Sequence, residues 1–232
     1  MISIILLYIC NMILEYFNID LFKDLSNKDK RILASNSVVT TYSKGDLIIN
    51  KGTINNQLIL LVDGFVKVFA ETGNEKRIID ILKKDRILSI ISIFTDKVYN
   101  LSASAVSSCT VVVFEKDIFL DVVKNNFQFS QHLSKTISEL SIKYMYFLAF
   151  QNKKNVRGRV AEVLMYLSDR VYESLEFPQS FTRKEMADMS NTTTETIIRI
   201  FSEFKKDGII TIDKKVIKIE NIEFLSKLAK NG

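Results

Sequence analysis

Residues 181–210, FTRKEMADMSNTTTETIIRIFSEFKKDGII, leave the backbone little choice. They predict two short helices reversed by a tight turn. Thr182 stands three residues before Glu185, the spacing at which side chain and backbone satisfy each other's free groups at a helix start. Thr192 and Glu195 repeat that spacing and predict a second start. Met189-Ser190-Asn191 lies between them. A reversal this sharp needs a residue at positive φ, which Asn tolerates best after Gly. Ile197, Ile200, Phe201 and Phe204 fall on one helical face. Gly208 then ends the helix from the C′ position that glycine favours. Beyond it, 209–212 and 216–219 alternate like the arms of a small hairpin around Asp213-Lys214-Lys215. Such a pair is a helix-turn-helix with a wing, a device that sets its second helix in the DNA major groove.

The polar face of that second helix carries the chemistry. Glu195 and Arg199 are four residues apart and share a face. As a surface ion pair they would contribute only about 0.3–0.5 kcal/mol. As base readers they do more: Arg199 can bind guanine O6 and N7 bidentately, and Glu195 can accept from cytosine N4. Thr194 precedes them as a third candidate for base contact. Thr182, Arg183, Thr192 and Thr193 at the two helix starts, with Lys214 and Lys215 in the wing, suit phosphate contacts. Bulk charge does not make this case. The net charge is +5, and from Lys154 onward there are 14 Lys and Arg against 12 Asp and Glu. Placement has to carry it.

Upstream the period changes twice. Residues 12 to about 35 read as a helical cap. From Ser37 to about Glu115, short β-branched runs (VVTTY, DLIIN, QLILLVDGFVKVFA, KRIIDIL, CTVVVFE) alternate with turns such as Lys44-Gly45-Asp46 and Asp63-Gly64. Short strands at this spacing predict a sandwich or barrel. From Lys116 the pattern is helical, with a short helix over 117–124 and a long one from about Phe127 to Gln151. In the long helix Leu133, Ile137, Leu140, Tyr144 and Phe147 alternate steps of four and three, the spacing of a coiled-coil seam. The opposite face is also partly apolar at Ile142, Met145 and Leu148, so the helix can meet both its own barrel and a second copy. A dimer suits DNA reading, because two reading helices bind two half-sites one helical turn apart. A break at 153–155 precedes a further helix over 156–170. The chain thus divides into a cap and barrel over 1–115, a helical segment over 116–152 and a DNA-binding domain over 153–232.

Other chemistries find little support. Cys10 and Cys109 share no metal-ligand spacing, and a zinc or iron–sulfur site would use about four ligands. Neither a metal nor a cofactor is implied, and a reducing cytoplasm is the simplest setting. The single histidine, His132, reads as a helix-surface or packing residue. The chain shows no nucleophile–base pair or phosphate-cradling glycine loop, so no catalytic residue is assigned and no enzyme is expected. The opening MISIILLYIC is too short to span a bilayer, so no membrane role is expected. An amphipathic start begins at Met12. The first eleven residues therefore read as a misplaced translation start or a loosely packed extension, with Met1 and Met12 both open as the true start.

The order of these parts resembles the Crp/Fnr superfamily of bacterial transcription regulators, over nearly the whole chain from about Phe17. The carrying motifs are YSKGDLIINKG…LILLVDGFVKVF and TTTETIIRIFSEFKKDGII, supported by DRILSIISIFTD and LSASAVSSCTVVVFEK. The resemblance implies an α+β fold: an N-terminal double-stranded β-helix (a cyclic-nucleotide-binding-like jelly-roll barrel), a long dimerisation helix and a C-terminal winged helix-turn-helix. The family pattern E-T-x-x-R stands here as Glu195, Thr196 and Arg199, which by similarity would read G·C pairs. Members that bind cyclic AMP carry a Gly-Glu pair where this chain has Ser89 and Ile90. Their Arg-Ser pair for the cyclic phosphate should fall near 99–102, and no basic residue lies there. Burying a phosphate without a cation is costly, so the effector is not expected to be a cyclic nucleotide. The pocket side reads as Ser89, Ile90, Ile91, Leu101, Ser102 and Ala103. It would either take an unknown small-molecule or peptide-like effector or be filled by its own side chains. The resemblance implies a homodimer on a palindromic promoter site, with RNA polymerase as a further partner if the protein activates. The alternative is a ligand-sensing module with a degenerate winged helix that acts through protein contacts.

Overall fold

The computed structural model describes residues 11–73, 75–95, 97–151 and 154–232, with the side chains of 75, 147–151 and 231 outside the description. The opening MISIILLYIC, with Cys10, lies outside the described residues. The chain forms two compact units. One comprises the chain up to Val68 with Leu82–Met145, the other Phe69–Ile81 with Tyr146–Gly232.

The first unit opens with α1 over 11–16 and α2 (Asn27–Ser35), whose start is capped by the Ser26 hydroxyl accepting from the Asp29 N–H. Along the chain then follow β1 (Ser37–Tyr42), β2 (Leu47–Ile49), β3 (Gln57–Asp63), β4 (Val66–Thr72), β5 (Glu75–Leu82), β6 (Arg86–Leu88), β7 (Ser102–Ala105) and β8 (Cys109–Glu115), of which the stretch Phe69–Ile81 in β4 and β5 groups with the second unit. The eight strands make two four-stranded sheets, ordered β1-β8-β3-β6 and β2-β7-β4-β5, the jelly roll that the family resemblance implies. The run read as one stretch from Gln57 breaks at Gly64, where φ is +88°.

β3 explains how the layers stack. Successive strand side chains point to opposite faces, and QLILLVD is apolar on both. Ile59 and Leu61 face the barrel interior with Ile49, Val66, Leu88, Ala103, Ala105 and Val111. Leu58 and Leu60 face outward into a second cluster with Phe17, Phe22, Phe114, Phe119 and Phe129. Phe17 and Phe22 lie 5.1 Å apart, and Phe119 and Phe129 lie 5.7 Å apart at 77°, an edge-on packing that aromatic rings favour. This outer cluster seats α3 (Lys116–Asn125) and α4 (Phe127–Gln151). His132 on α4 has its Nδ1 2.8 Å from Asp24 Oδ2, so it ties the long helix to the cap.

The second unit runs through α5 (Val156–Tyr166), a π-helical turn over Leu167–Tyr172, β9 (Glu176–Pro178), α6 (Arg183–Ser190), α7 (Thr194–Lys206), β10 (Ile210–Asp213), β11 (Val216–Ile219) and α8 (Ile222–Asn231). Two features depart from the sequence reading. The first helix leaves α geometry after Tyr166 instead of continuing to 170, ending at Glu173 in the left-handed region. Pro178 ends an edge strand that the sequence reading did not foresee. β9 pairs with β11 in the order β10-β11-β9, and Pro178 sits opposite Val216. An edge strand needs no N–H on its outer side, which is where proline is tolerated. Gly158 on α5 fixes the approach of α8, since a Cβ there would lie 2.7 Å from Gly232 Cα. Asp80 on β5 accepts a 2.6 Å bond from the Tyr166 hydroxyl, which itself accepts from the Ile81 N–H at 3.0 Å.

Candidate nucleic-acid interface

The helix pair is assembled from its own caps. Thr182 starts α6: its Oγ1 accepts from the Glu185 N–H at 3.1 Å, and Glu185 Oε2 accepts from the Thr182 N–H at 2.7 Å. Asn191 ends α6 at φ +49°, ψ +57°, the left-handed position expected of it. The next start differs by one residue. Thr193, not Thr192, caps α7, accepting from the Thr196 N–H at 3.2 Å, and Glu195 takes no part. With Thr193 as the cap, Glu195 sits in the first turn and projects from an exposed surface. At the far end Gly208 has φ +67°. The Ile209 N–H donates to Phe204 O at 2.8 Å and the Gly208 N–H to Lys205 O at 3.1 Å, the paired bonds of a Schellman stop.

Ile197, Ile200, Phe201 and Phe204 are all buried, so one face of α7 is spent on the unit's core. The other face leaves Thr194, Glu195 and Arg199 exposed. Three predicted base readers therefore share one solvent-facing stripe. Among the predicted phosphate contacts, Thr182, Thr193, Lys214 and Lys215 are exposed and Thr192 and Arg183 are partly covered. Arg183 has a second occupation. Its guanidinium stands 4.1 Å over the Phe201 ring, and burial pulls its pKa below the ordinary arginine value without removing its charge. Lys214 and Lys215 both have positive φ, at +44° and +67°. That is the I′ turn that matches strand twist, and it usually takes Asn and Gly.

Three residues missed in the sequence organise this surface. Arg159 on α5 holds the turn: its Nε donates to Ser190 O at 2.8 Å, Nη2 to Asn191 O at 3.1 Å and Nη1 to Lys154 O at 2.7 Å. Arg199 is paired with Glu203, Nη1 to Oε1 at 2.6 Å, and not with Glu195. The other Glu203 oxygen lies 3.7 Å from Nη1 of Arg157, whose Nη2 meets Asp207 Oδ2 at 2.6 Å. Glu203 was readable as an i+4 partner. Arg157 and Arg159 were not, because nothing local marks a long-range pairing.

The other predicted residues are placed as follows. Leu133 is fully buried in the first unit's own core, with Ile137 and Leu140 packed against it. Tyr144 is partly covered, and the Phe147 side chain lies outside the described residues. Ile142 and Met145 on the same helix are exposed, at 51% and 67%. The proposed effector residues differ in their surroundings. Ile90 joins the outer cluster, Ile91 is exposed, and Ser89 is left-handed at φ +64°. Ser102 is buried and accepts from the Lys51 N–H at 3.1 Å, while Leu101 is partly covered. Among the described residues no cluster of three or more His, Cys, Asp or Glu could hold a metal, and no helix is long and apolar enough to cross a membrane.

Two parts of the chain match known protein families. Residues 158–228 match the family model of the Crp-like helix-turn-helix domain, and residues 39–126 match that of the cyclic nucleotide-binding domain. The HTH-type transcriptional regulator ArcR of Staphylococcus epidermidis is 24% identical over 188 residues, covering 78% of this chain and 81% of ArcR. The fumarate and nitrate reduction regulatory protein of Yersinia pestis is 36% identical over 84 residues, 34% of each chain. The structure of FixK2 from Bradyrhizobium japonicum has the same fold, with a TM-score of 0.74 at 16% identity over 83% of this chain and 96% of FixK2.

Proposed function

Because this chain belongs to the Crp/Fnr superfamily of transcription regulators, we propose that it reads a palindromic promoter site as a homodimer through α7. The observation that carries this reading is the exposed stripe of Thr194, Glu195 and Arg199 on a helix whose other face is buried. Arg199 binds guanine and Glu195 accepts from cytosine, with Thr194 as a further base contact. Thr192, Thr193, Lys214 and Lys215 meet phosphates and set the register. Thr182 and Arg183 join them, although Thr182 already caps α6 and Arg183 already lies over Phe201 of α7. Division of labour follows the chain: residues 1–115 form the sensor-like barrel, 116–152 the helical segment that pairs two copies, and 153–232 the DNA-binding domain.

The barrel does not hold a cyclic nucleotide at the family's usual position. The segment 99–102 has no cation to balance a buried phosphate, and Ser89 and Ile90 replace the ribose-binding pair. The apolar packing of Ile59, Leu61, Leu88, Ala103 and Val111 within the barrel favours a regulator that docks without a ligand, or one that answers to an apolar or peptide-like effector. The protein works in the cytoplasm, where its promoter is, and would touch RNA polymerase if it activates.

Selection from a random duplex pool with the purified, ligand-free protein tests this. The expected product is a two-fold symmetric consensus with G·C pairs in each arm. Arg199→Ala should cost about 1–3 kcal/mol per half-site and relax one position. Lys215→Ala should weaken all sequences alike and lower the salt slope. Absence of enrichment both in buffer and in cell extract would overturn the reading in favour of a winged helix that contacts protein.

A further inference from the structure

We propose that Glu203 is a positioning residue for base reading, anchored by Arg157 so that it presents the free edge of Arg199 to a guanine. The inference rests on the base-reading role of Arg199. Its geometry is a three-residue relay. Arg157, at the start of α5, is fixed by Asp207 at 2.6 Å, and its guanidinium lies 5.2 Å from the centre of the Phe204 ring. From that anchor it faces one oxygen of Glu203 at 3.7 Å, and the other oxygen takes Nη1 of Arg199 at 2.6 Å.

The choice of nitrogen matters. With Nη1 engaged, Arg199 keeps Nε–H and the adjacent Nη2–H as two parallel donors. That edge is the fork that guanine O6 and N7 accept. A pair between groups this exposed, 65% for Arg199 and 34% for Glu203, is too weak to withhold Arg199 from DNA. It is sufficient to reduce the number of rotamers that a long, flexible arginine samples, which is the cost that preorganisation removes on binding. Glu203 lies one turn beyond Arg199 on α7, so its carboxylate also repels phosphates approaching that end of the helix. The repulsion lowers binding to every duplex alike, whereas the ordering of Arg199 favours only the right base pair, so base discrimination comes from the second effect.

The test uses the full-length protein and duplexes with each of the four base pairs at the position that Arg199→Ala relaxes. Arg199→Ala should lose about tenfold or more in discrimination there. Glu203→Gln should lose about fivefold at that same pair and at no other, while binding random duplex more tightly. The double variant should lose no more than Arg199→Ala alone. Arg157→Met, which removes the anchor but leaves Glu203, should lose about twofold. A merely structural role would change the melting temperature and all base pairs together, and that pattern overturns the proposal. So does Glu203→Gln with wild-type discrimination beside a relaxed Arg199→Ala. If Arg199→Ala itself relaxes nothing, base reading by Arg199 fails, and the inference goes with it.

Discussion

At Asn191 the reversal between α6 and α7 rests on one backbone angle, φ +49°. Left-handed geometry costs a residue with a Cβ about 1–2 kcal/mol, and asparagine is among the few that visit it routinely. Asn191→Gly should therefore leave stability within a few tenths of a kcal/mol, whereas the β-branched Asn191→Val should lose about 1–2 kcal/mol. Urea unfolding would read this as a lower midpoint at unchanged slope; an Asn191→Val protein as stable as wild type would remove the strain argument. The same turn offers its carbonyls to Arg159, which serves Ser190, Asn191 and Lys154 with three nitrogens. Lysine carries the charge but cannot span that fork. Arg159→Lys should cost about 1.5–3 kcal/mol, again read by urea unfolding, with a loss below 0.5 kcal/mol counting against the clamp.

The wing shows an element in tension between stability and binding. β10 and β11 are joined through Lys214 and Lys215, both at positive φ, where Asn and Gly would fit without strain. Strain of this kind is retained when the residues serve another purpose, and two adjacent ammonium groups at the tip suit a phosphate pair. Replacing them together, Lys214→Asn with Lys215→Gly, should raise stability by about 1 kcal/mol. It should also lower the salt slope of DNA binding by about 1.8 per wing if each lysine neutralises one phosphate. Thermal unfolding and titrations at several salt concentrations check the two halves separately. An unchanged slope would take the wing out of the interface. Elements of this kind were legible in the sequence when their cause was local. Alternation gave the hairpin, Thr182 with Glu185 gave the α6 start, and Gly208 gave the α7 stop. Three consecutive threonines let the cap slip from Thr192 to Thr193, because hydroxyls one residue apart satisfy the same template. β9 was invisible, since Glu176–Pro178 is only three residues long and becomes a strand through pairing with β11. For the same reason the exposed face carrying Thr194, Glu195 and Arg199 was legible, but the long-range pairing of Arg157 was not.

For the whole molecule the decisive question is what α4 has left to offer a second copy. Its heptad-like apolar residues were expected to serve as a dimer seam. Leu133 is instead consumed by the outer cluster of its own unit, with Ile137 and Leu140 leaning on that cluster. A partner would therefore have to meet the residues this packing leaves over, Ile142 and Met145, which are exposed. The two sets predict opposite behaviour on substitution. Leu133→Ala opens a cavity in the unit's core and should cost about 2–5 kcal/mol of folding stability. Ile142→Glu combined with Met145→Glu touches no core and should leave the unfolding midpoint of the first unit nearly unchanged at low protein concentration, where linkage to dimerisation is weak. It should separate the copies, because four buried carboxylates would face one another across the interface without partners. Sedimentation equilibrium would show the expected monomer. The DNA consequence is equally specific. A dimer spans two half-sites about 34–36 Å apart, and its second contact is made at the high effective concentration that a shared scaffold provides. The separated variant should bind a full palindrome no better than a single half-site, with affinity for the half-site unchanged. A variant that stays dimeric, or that keeps its preference for the full palindrome, would place the interface elsewhere than on this face of α4.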